Sequence, residues 1–273
     1  MQEMSPRICL VTGSNKGIGF EAVRQISKLY SNDDVVYLTS RDKQRGSEAL
    51  KTLNDEGLKN LRYLQLDLED TSTIKSAASA ISKEHGKLDV LVNNAGFAYK
   101  NASPAPFQEQ AEVTNRINYF GTLNVINAFI PLLKNGRIVN VASFAGRLAQ
   151  VAKDHQSKLT SPHLKIEELS AYINDFIEKT KTNSHRKAGY SNTAYGMSKL
   201  GMIALSNIFA RELAGENIAV VSMCPGWCKT DMAGTNAPNS AADGADIVTY
   251  LATKDNIMEL SGKFIREKAV AVW

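Results

Sequence analysis

Cysteine is scarce in this chain: there are 3 in 273 residues, Cys9, Cys224 and Cys228. Thiols so few and so irregularly spaced exclude a disulfide framework, and Cys224-x-x-x-Cys228 is not a metal-ligand pattern. Reduced, buried thiols and no metal are expected. Long apolar runs are missing as well. Met1 to Pro6 is polar and the apolar run that follows is too short to span a bilayer, so neither a leader nor a membrane anchor is expected. The cytoplasm is the expected location. No repeat, low-complexity stretch or linker divides the sequence. Charge of one sign is lacking too: 32 Lys and Arg stand against 28 Asp and Glu, a formal net charge of +4. With acids spread along the chain, neither nucleic acid nor a membrane surface is an expected partner. What is present is a 43% hydrophobic content over 273 residues. That suffices for one large core, and alternating strand and helix patterns predict a single doubly wound α/β domain over residues 1–273.

The first element is the most explicit. Ile8-Cys9-Leu10-Val11 reads as a buried parallel strand, and Phe20 to Tyr30 shows helical periodicity through Phe20, Val23, Ile26 and Leu29. Between them lies Thr12-Gly13-Ser14-Asn15-Lys16-Gly17-Ile18-Gly19. Gly13 permits the tight turn, Gly17 lets backbone approach a pyrophosphate, and Gly19 lets helix and strand pack closely. The expected ligand is therefore a dinucleotide, although the pattern Gly-x-x-x-Gly-x-Gly departs from Gly-x-Gly-x-x-Gly.

The second strand, Val35 to Ser40, decides which dinucleotide. An acidic residue at its end would accept bonds from the ribose hydroxyls of NAD, but Ser40 and Arg41 stand there instead. Arg41, together with Lys16 in the glycine turn, suits a phosphate on the adenosine ribose and favours NADPH. Asp42 is expected to cap a helix or to partner Arg45. The third strand, Tyr63 to Leu66, leads into Asp67-Leu68, where a carboxylate can either read an adenine amino group or cap the helix that begins near Thr71. The fourth, Leu88 to Val92, runs into the small, amide-rich Asn93-Asn94-Ala95-Gly96.

Tyr195 and Lys199 stand four apart and so share one face of a helix. An ammonium beside a phenol favours the phenolate and draws the tyrosine pKa down from about 10 toward the working range of an acid or base. On its own the pair equally suits any amphipathic helix.

Taken in order, Thr12-Gly13-x-x-x-Gly17-x-Gly19, Asn93-Asn94-Ala95-Gly96, Asn118, Ser143, Tyr195-x-x-x-Lys199 and Pro225-Gly226 resemble the short-chain dehydrogenases/reductases over nearly the whole chain. More narrowly, Gly13 to Gly19, Leu88 to Gly96, Gln110-Ala111-Glu112-Val113-Thr114 and Cys224-Pro225-Gly226-Trp227 resemble the NADPH-dependent carbonyl reductases of that family. The resemblance implies a Rossmann-type sheet, bound NADPH or NADP, and reduction of ketones, aldehydes or quinones. Its rivals are a reductase dedicated to one steroid, prostaglandin or pterin carbonyl, and a non-catalytic NADP(H) sensor.

Residue by residue, the resemblance implies Tyr195 as proton donor, Ser143 as the group that polarises the carbonyl oxygen, and Lys199 as partner of both the tyrosine and the nicotinamide ribose. Asn118 matches the asparagine that anchors a water in the proton relay. The implied cofactor contacts are Gly13, Asn15, Lys16, Gly17, Ile18, Gly19, Arg41, Asp67, Leu68, Asn94, Tyr195, Lys199, Cys228, Lys229 and Thr230. Ala142 stands where close relatives often carry a second serine. Trp227 and Phe144, with Ser143, are expected to face the substrate. Lys100, in the loop from Ala98 to Phe107, and Gln110 lie where similar enzymes have a glutathione-conjugate site.

The link from Ser143 to Tyr195 is much longer than in most members of the family. Around residues 150–190 an inserted segment is expected. Within it Ile166, Leu169, Ile173, Phe176 and Ile177 recur at helical spacing, with Glu167 and Glu168 early and Lys179 and Lys181 late, as a helix dipole prefers. Similar carbonyl reductases carry such an insert over the face that other members use for tetramer assembly, which implies a monomer.

Overall fold

The computed structural model describes residues 5–100 and 102–273. The start of the polar N-terminal stretch (residues 1–4) and position 101 of the Ala98–Phe107 loop lie outside the described residues. Eight strands form one sheet: β1 (Ile8–Val11), β2 (Val35–Ser40), β3 (Leu61–Gln65), β4 (Leu88–Asn93), β5 (Leu133–Val141), β6 (Ala219–Cys224), β7 (Phe264–Arg266) and β8 (Ala269–Ala271). Their order is β3-β2-β1-β4-β5-β6-β7-β8, all parallel except β8, which runs antiparallel to β7.

Strand residues alternate between two cores. Ile8 and Leu10 pack with one, Cys9 and Val11 with the other. On the first face lie α3 (Thr71–His85), α4 (Phe107–Asn115), α5 (Thr122–Phe129) and α8 (Ala194–Glu212). On the second lie α1 (Gly17–Leu29), α2 (Lys43–Asp55) and α9 (Ala241–Thr253). Helices on both faces of a mostly parallel sheet are what near-continuous apolar strands require, because each strand must be covered twice. Local chemistry sets the helix ends. Asp42 caps α2 by accepting from the Arg45 N–H at 2.9 Å, Asp70 caps α3 by accepting from Ser72 at 2.9 Å, and Gly86 ends α3 in the left-handed region at φ 69°.

The chain turns from the β1 side to the β4 side of the sheet between those two adjacent strands. The loops that leave their carboxyl ends therefore meet at a topological switch point, where open α/β sheets bind ligands. Thr12 ties them: its hydroxyl accepts from the N–H of Asn94 and of Ala95, each at 3.0 Å.

Beyond Ser143 the chain adds α6 (Lys153–Leu159) and α7 (Ile166–Lys181). Leu169, Ile173, Phe176 and Ile177 are buried as the spacing predicts, and α7 packs against α4 and α8. The seven-residue α6 was beyond the reach of periodicity, since two turns hold too few apolar residues to show one. Strand β5 starts at Leu133, which pairs with Leu88 ahead of a register shift. Positive φ at Asn135 in this strand marks the same irregularity.

Candidate active site

The glycine turn is built as its sequence requires. Gly13 and Gly17 both sit at φ 60°, where only glycine is unstrained. A Cβ on Gly13 would come within 2.8 Å of Ala95, and one on Gly19 within 2.4 Å of Asn94 Nδ2. Close approach of β1, α1 and the β4 loop thus depends on both. Gly17 differs, since its added Cβ would meet only Thr230, at 3.3 Å. Its backbone lies against the Thr230 loop at the start of α1, where helix N–H groups attract phosphate.

The other expected cofactor residues fall into two groups. Lys16 and Arg41 are exposed at the turn and at the end of β2, with Asn15 half-buried between the two glycines. Lys16 Nζ pairs with Asp231 Oδ2 at 2.6 Å, across to the loop after β6. Arg41 contributes its carbonyl to Gln65 Nε2 at 2.8 Å, which fixes its backbone. Asp67 is not the cap of α3, a place Asp70 takes, and its Oδ1 accepts from the nearby Glu69 N–H at 3.1 Å. Leu68 and Cys228, by contrast, are buried, and the Ile18 side chain packs toward α9. Asn94 uses its amide to hold the carbonyls of Thr12 and Gly13 at 2.9 and 3.0 Å. Its side chain builds the turn. Lys229 is exposed, with its N–H on Asn239, while Thr230 Oγ1 accepts from Ala233 at 3.2 Å.

The four expected catalytic groups converge. Ser143 follows the end of β5, and its Oγ accepts from the Ala145 N–H at 3.1 Å, which leaves the hydroxyl proton free to donate. The first turn of α8, capped by Thr193 on the Gly196 N–H at 3.1 Å, carries Tyr195. Lys199 Nζ lies 5.7 Å from the Tyr195 ring centroid and donates to the Val141 carbonyl at 2.7 Å. Asn118 lies within a π-helical turn, Arg116–Gly121, between α4 and α5. Such turns interrupt the regular backbone ladder and recur at functional sites. Both ends of its side chain are engaged: Oδ1 accepts from Phe97 N at 2.7 Å, and Nδ2 donates to the Phe97 carbonyl and to Ser198 Oγ, each at 2.9 Å. Ser198 Oγ in turn donates to the Tyr195 carbonyl at 2.8 Å. Sequence reasoning missed Ser198. Its position three residues after Tyr195, on the same helix face, was the available signal.

The direction of the tyrosine shift differs from expectation. Burial pushes the Tyr195 phenol up to about 12; a hydrogen bond from Ser143 pulls against this, and Cys224 adds to it. Lys199 is drawn down to about 8 by its own burial. The Lys199 ammonium spends a donor on the Val141 carbonyl, and burial of the phenol outweighs its pull, so the phenol keeps its proton.

Trp227 and Phe144 are 56% and 44% exposed, so neither ring is spent on the core. Arg147 and Arg266 flank the Phe144 ring at 5.5 and 5.2 Å. Gln110 spends its amide on the Ala105 carbonyl at 2.8 Å, and so braces the loop before α4.

A family model described as short chain dehydrogenase matches residues 7–155 and 180–241, leaving most of α7 in the unmatched interval. Carbonyl reductase [NADPH] 1 of Bos taurus is 44% identical over 274 residues, covering 97% of this chain and 98% of its own. Salutaridine reductase from Papaver somniferum superposes with a TM-score of 0.85 at 31% identity, covering 96% of this chain and 99% of its own. An NADPH-bound carbonyl reductase from chicken fatty liver does so at 0.74 and 25% identity, covering 99% and 100%. With the glycine turn at the switch point and serine, tyrosine and lysine gathered beside it, the chain belongs to the short-chain dehydrogenase family.

Proposed function

We propose that this protein reduces carbonyl compounds, namely ketones, aldehydes and quinones, with NADPH, as a monomer in the cytoplasm. The observation that carries the reading is the meeting of Ser143, Tyr195 and Lys199 at the carboxyl end of β5, beside a turn shaped for a dinucleotide. When bound, NADPH supplies the hydride.

The chain's own residues do the rest. Ser143 donates to the carbonyl oxygen and steadies the negative charge that grows there; loss of one such donor costs about 3 kcal/mol in other enzymes. Tyr195 gives its proton to the same oxygen, completing the alcohol. A phenol held near 12 by burial is protonated at any physiological pH, as a donor must be. Lys199, still mostly an ammonium at pH 7, offers charge and hydrogen bonds to the nicotinamide ribose. Lys16, released from Asp231, and Arg41 would pair the phosphate of the adenosine ribose. Trp227 and Phe144 offer apolar walls at the mouth. The stripe of α7, turned onto α4 and α8, supports the monomer by covering that face from within the same chain.

The test is Tyr195→Phe, assayed by NADPH oxidation against a panel of carbonyl compounds. NADPH binding is expected to persist while turnover falls at least a hundredfold, the usual worth of a positioned acid. Turnover near the parental rate would remove Tyr195 from the mechanism, and reduction of a single compound only would favour a dedicated reductase.

A further inference from the structure

Gln150 is the first residue of the expected insert, and its side chain reaches back into the site. Its Nε2 donates to the Ala145 carbonyl at 2.9 Å and to the Gly196 carbonyl at 3.2 Å. Ala145 belongs to the short turn Phe144–Gly146 that Ser143 caps, and its N–H is the group that holds Ser143 Oγ. Gly196 is the residue next to Tyr195 on α8. One amide group therefore bridges the element that carries the serine and the element that carries the tyrosine. Because both neighbours are carbonyls, they fix which end of the carboxamide is the donor.

The surrounding packing is organised around this bridge. A Cβ on Gly196 would fall 2.5 Å from Gln150 Oε1 and 2.9 Å from the Ala145 carbonyl, so the absence of a side chain there lets turn and helix meet. A Cβ on Gly146 would fall 2.6 Å from the Lys199 carbonyl carbon. The far side of the same turn is held by Trp273, whose Nε1 donates to the Gly146 carbonyl at 2.8 Å. Gln150 Oε1 is itself buried without a partner among the described residues. A buried acceptor left unsatisfied is destabilising. Stability alone does not explain the residue, whereas the two carbonyls that its amide joins do.

We infer that Gln150 is a positioning residue: it sets the approach of the Ser143 hydroxyl to the Tyr195 phenol, and so acts on turnover through Ser143. This rests on the carbonyl-reductase reading. Small errors in such an approach are costly, since a displacement of about 1 Å can lower a rate by about a hundredfold.

The experiment is a double-mutant cycle on the full chain, with kcat and the KM for NADPH measured for the parent, Gln150→Met, Ser143→Ala and the double variant. Gln150→Met keeps the length of the side chain and removes the donor. It is expected to lower kcat about tenfold or more, to leave the KM for NADPH within about twofold, and to cost nothing further in the Ser143→Ala background. A fall in kcat that multiplies with that of Ser143→Ala, or a Gln150→Met enzyme at parental rate, would overturn the inference. Should Gln150→Met fail to fold, Gln150→Asn, which withdraws the amide by one methylene, is expected to show the same dependence on Ser143 and is judged by the same outcomes. Failure of the underlying reading is distinct, because Ser143→Ala and the parent would then reduce carbonyls equally, or not at all.

Discussion

The pKa of Lys199 has a measurable consequence. Its ammonium is drawn down to about 8, against 10.5 for the exposed group. Because the displacement is downward in a base, charge is present below that value and lost as pH rises through it. About nine-tenths of Lys199 is charged at pH 7 and about one-tenth at pH 9. The kcat/KM for NADPH reports groups of the free enzyme. It is expected to fall about tenfold between pH 7 and 9 and about tenfold more by pH 10, if only the ammonium binds productively. An ordinary lysine would leave the same quantity almost unchanged at pH 9, so the two cases differ by about a factor of ten. Tyr195, held near 12, does not titrate in this window. The phenol can be read separately, as the ultraviolet phenolate absorbance of the parent less that of Tyr195→Phe. No difference is expected at pH 9. A flat profile to pH 10, or phenolate at position 195 near pH 8, would refute the reasoning.

Further outcomes follow from other parts of the structure. Arg41→Asp replaces a cation at the end of β2 with a repelling anion, and a charge-assisted hydrogen bond is worth about 1.5 to 3 kcal/mol. The ratio of kcat/KM for NADPH over NADH is expected to drop by at least tenfold, and steady-state kinetics showing an unchanged ratio would remove Arg41 from cofactor choice. Gly146→Ala sets a methyl against the backbone of Lys199 and Leu200, where nothing flexible can yield. Overpacking of this kind costs about 1 to 3 kcal/mol, so a lower melting temperature is expected, with turnover reduced as the serine turn is pushed from α8. Analytical ultracentrifugation is expected to give the mass of one chain, and a stable tetramer would defeat the reading of α7 as a cover.

Much of this was legible because the signals were local. The glycine turn, the bounds of β2 and the start of α3 depend on residues within a few positions of one another, and Val35–Ser40 and Thr71 fall where the sequence placed them. The apolar stripe of α7 likewise needs only its own periodicity. What escaped depends on contacts between distant parts of the chain. Lys16 meets Asp231, and Trp273 reaches the Gly146 carbonyl. No spacing rule connects such pairs, because their meeting is decided by the order of strands in the sheet.

The misjudged tyrosine shift has the same origin and bears on how the site works. Helical spacing places Lys199 beside Tyr195, but it does not reveal how deeply both are buried or that Nζ already donates to the Val141 carbonyl. In a shared low-dielectric site the desolvation of each group weighs more than an attraction that exists only when both are charged. The resting pair is therefore a neutral phenol near an ammonium of lowered pKa, not a phenolate and an ammonium. That state suits reduction, in which the phenol must arrive with its proton and release it only as charge develops on the substrate oxygen. A hydrogen bond from Ser143 pulls the phenol down against its burial. A change in the serine turn, or in the residues that hold it against α8, is therefore expected to move the proton affinity of the phenol.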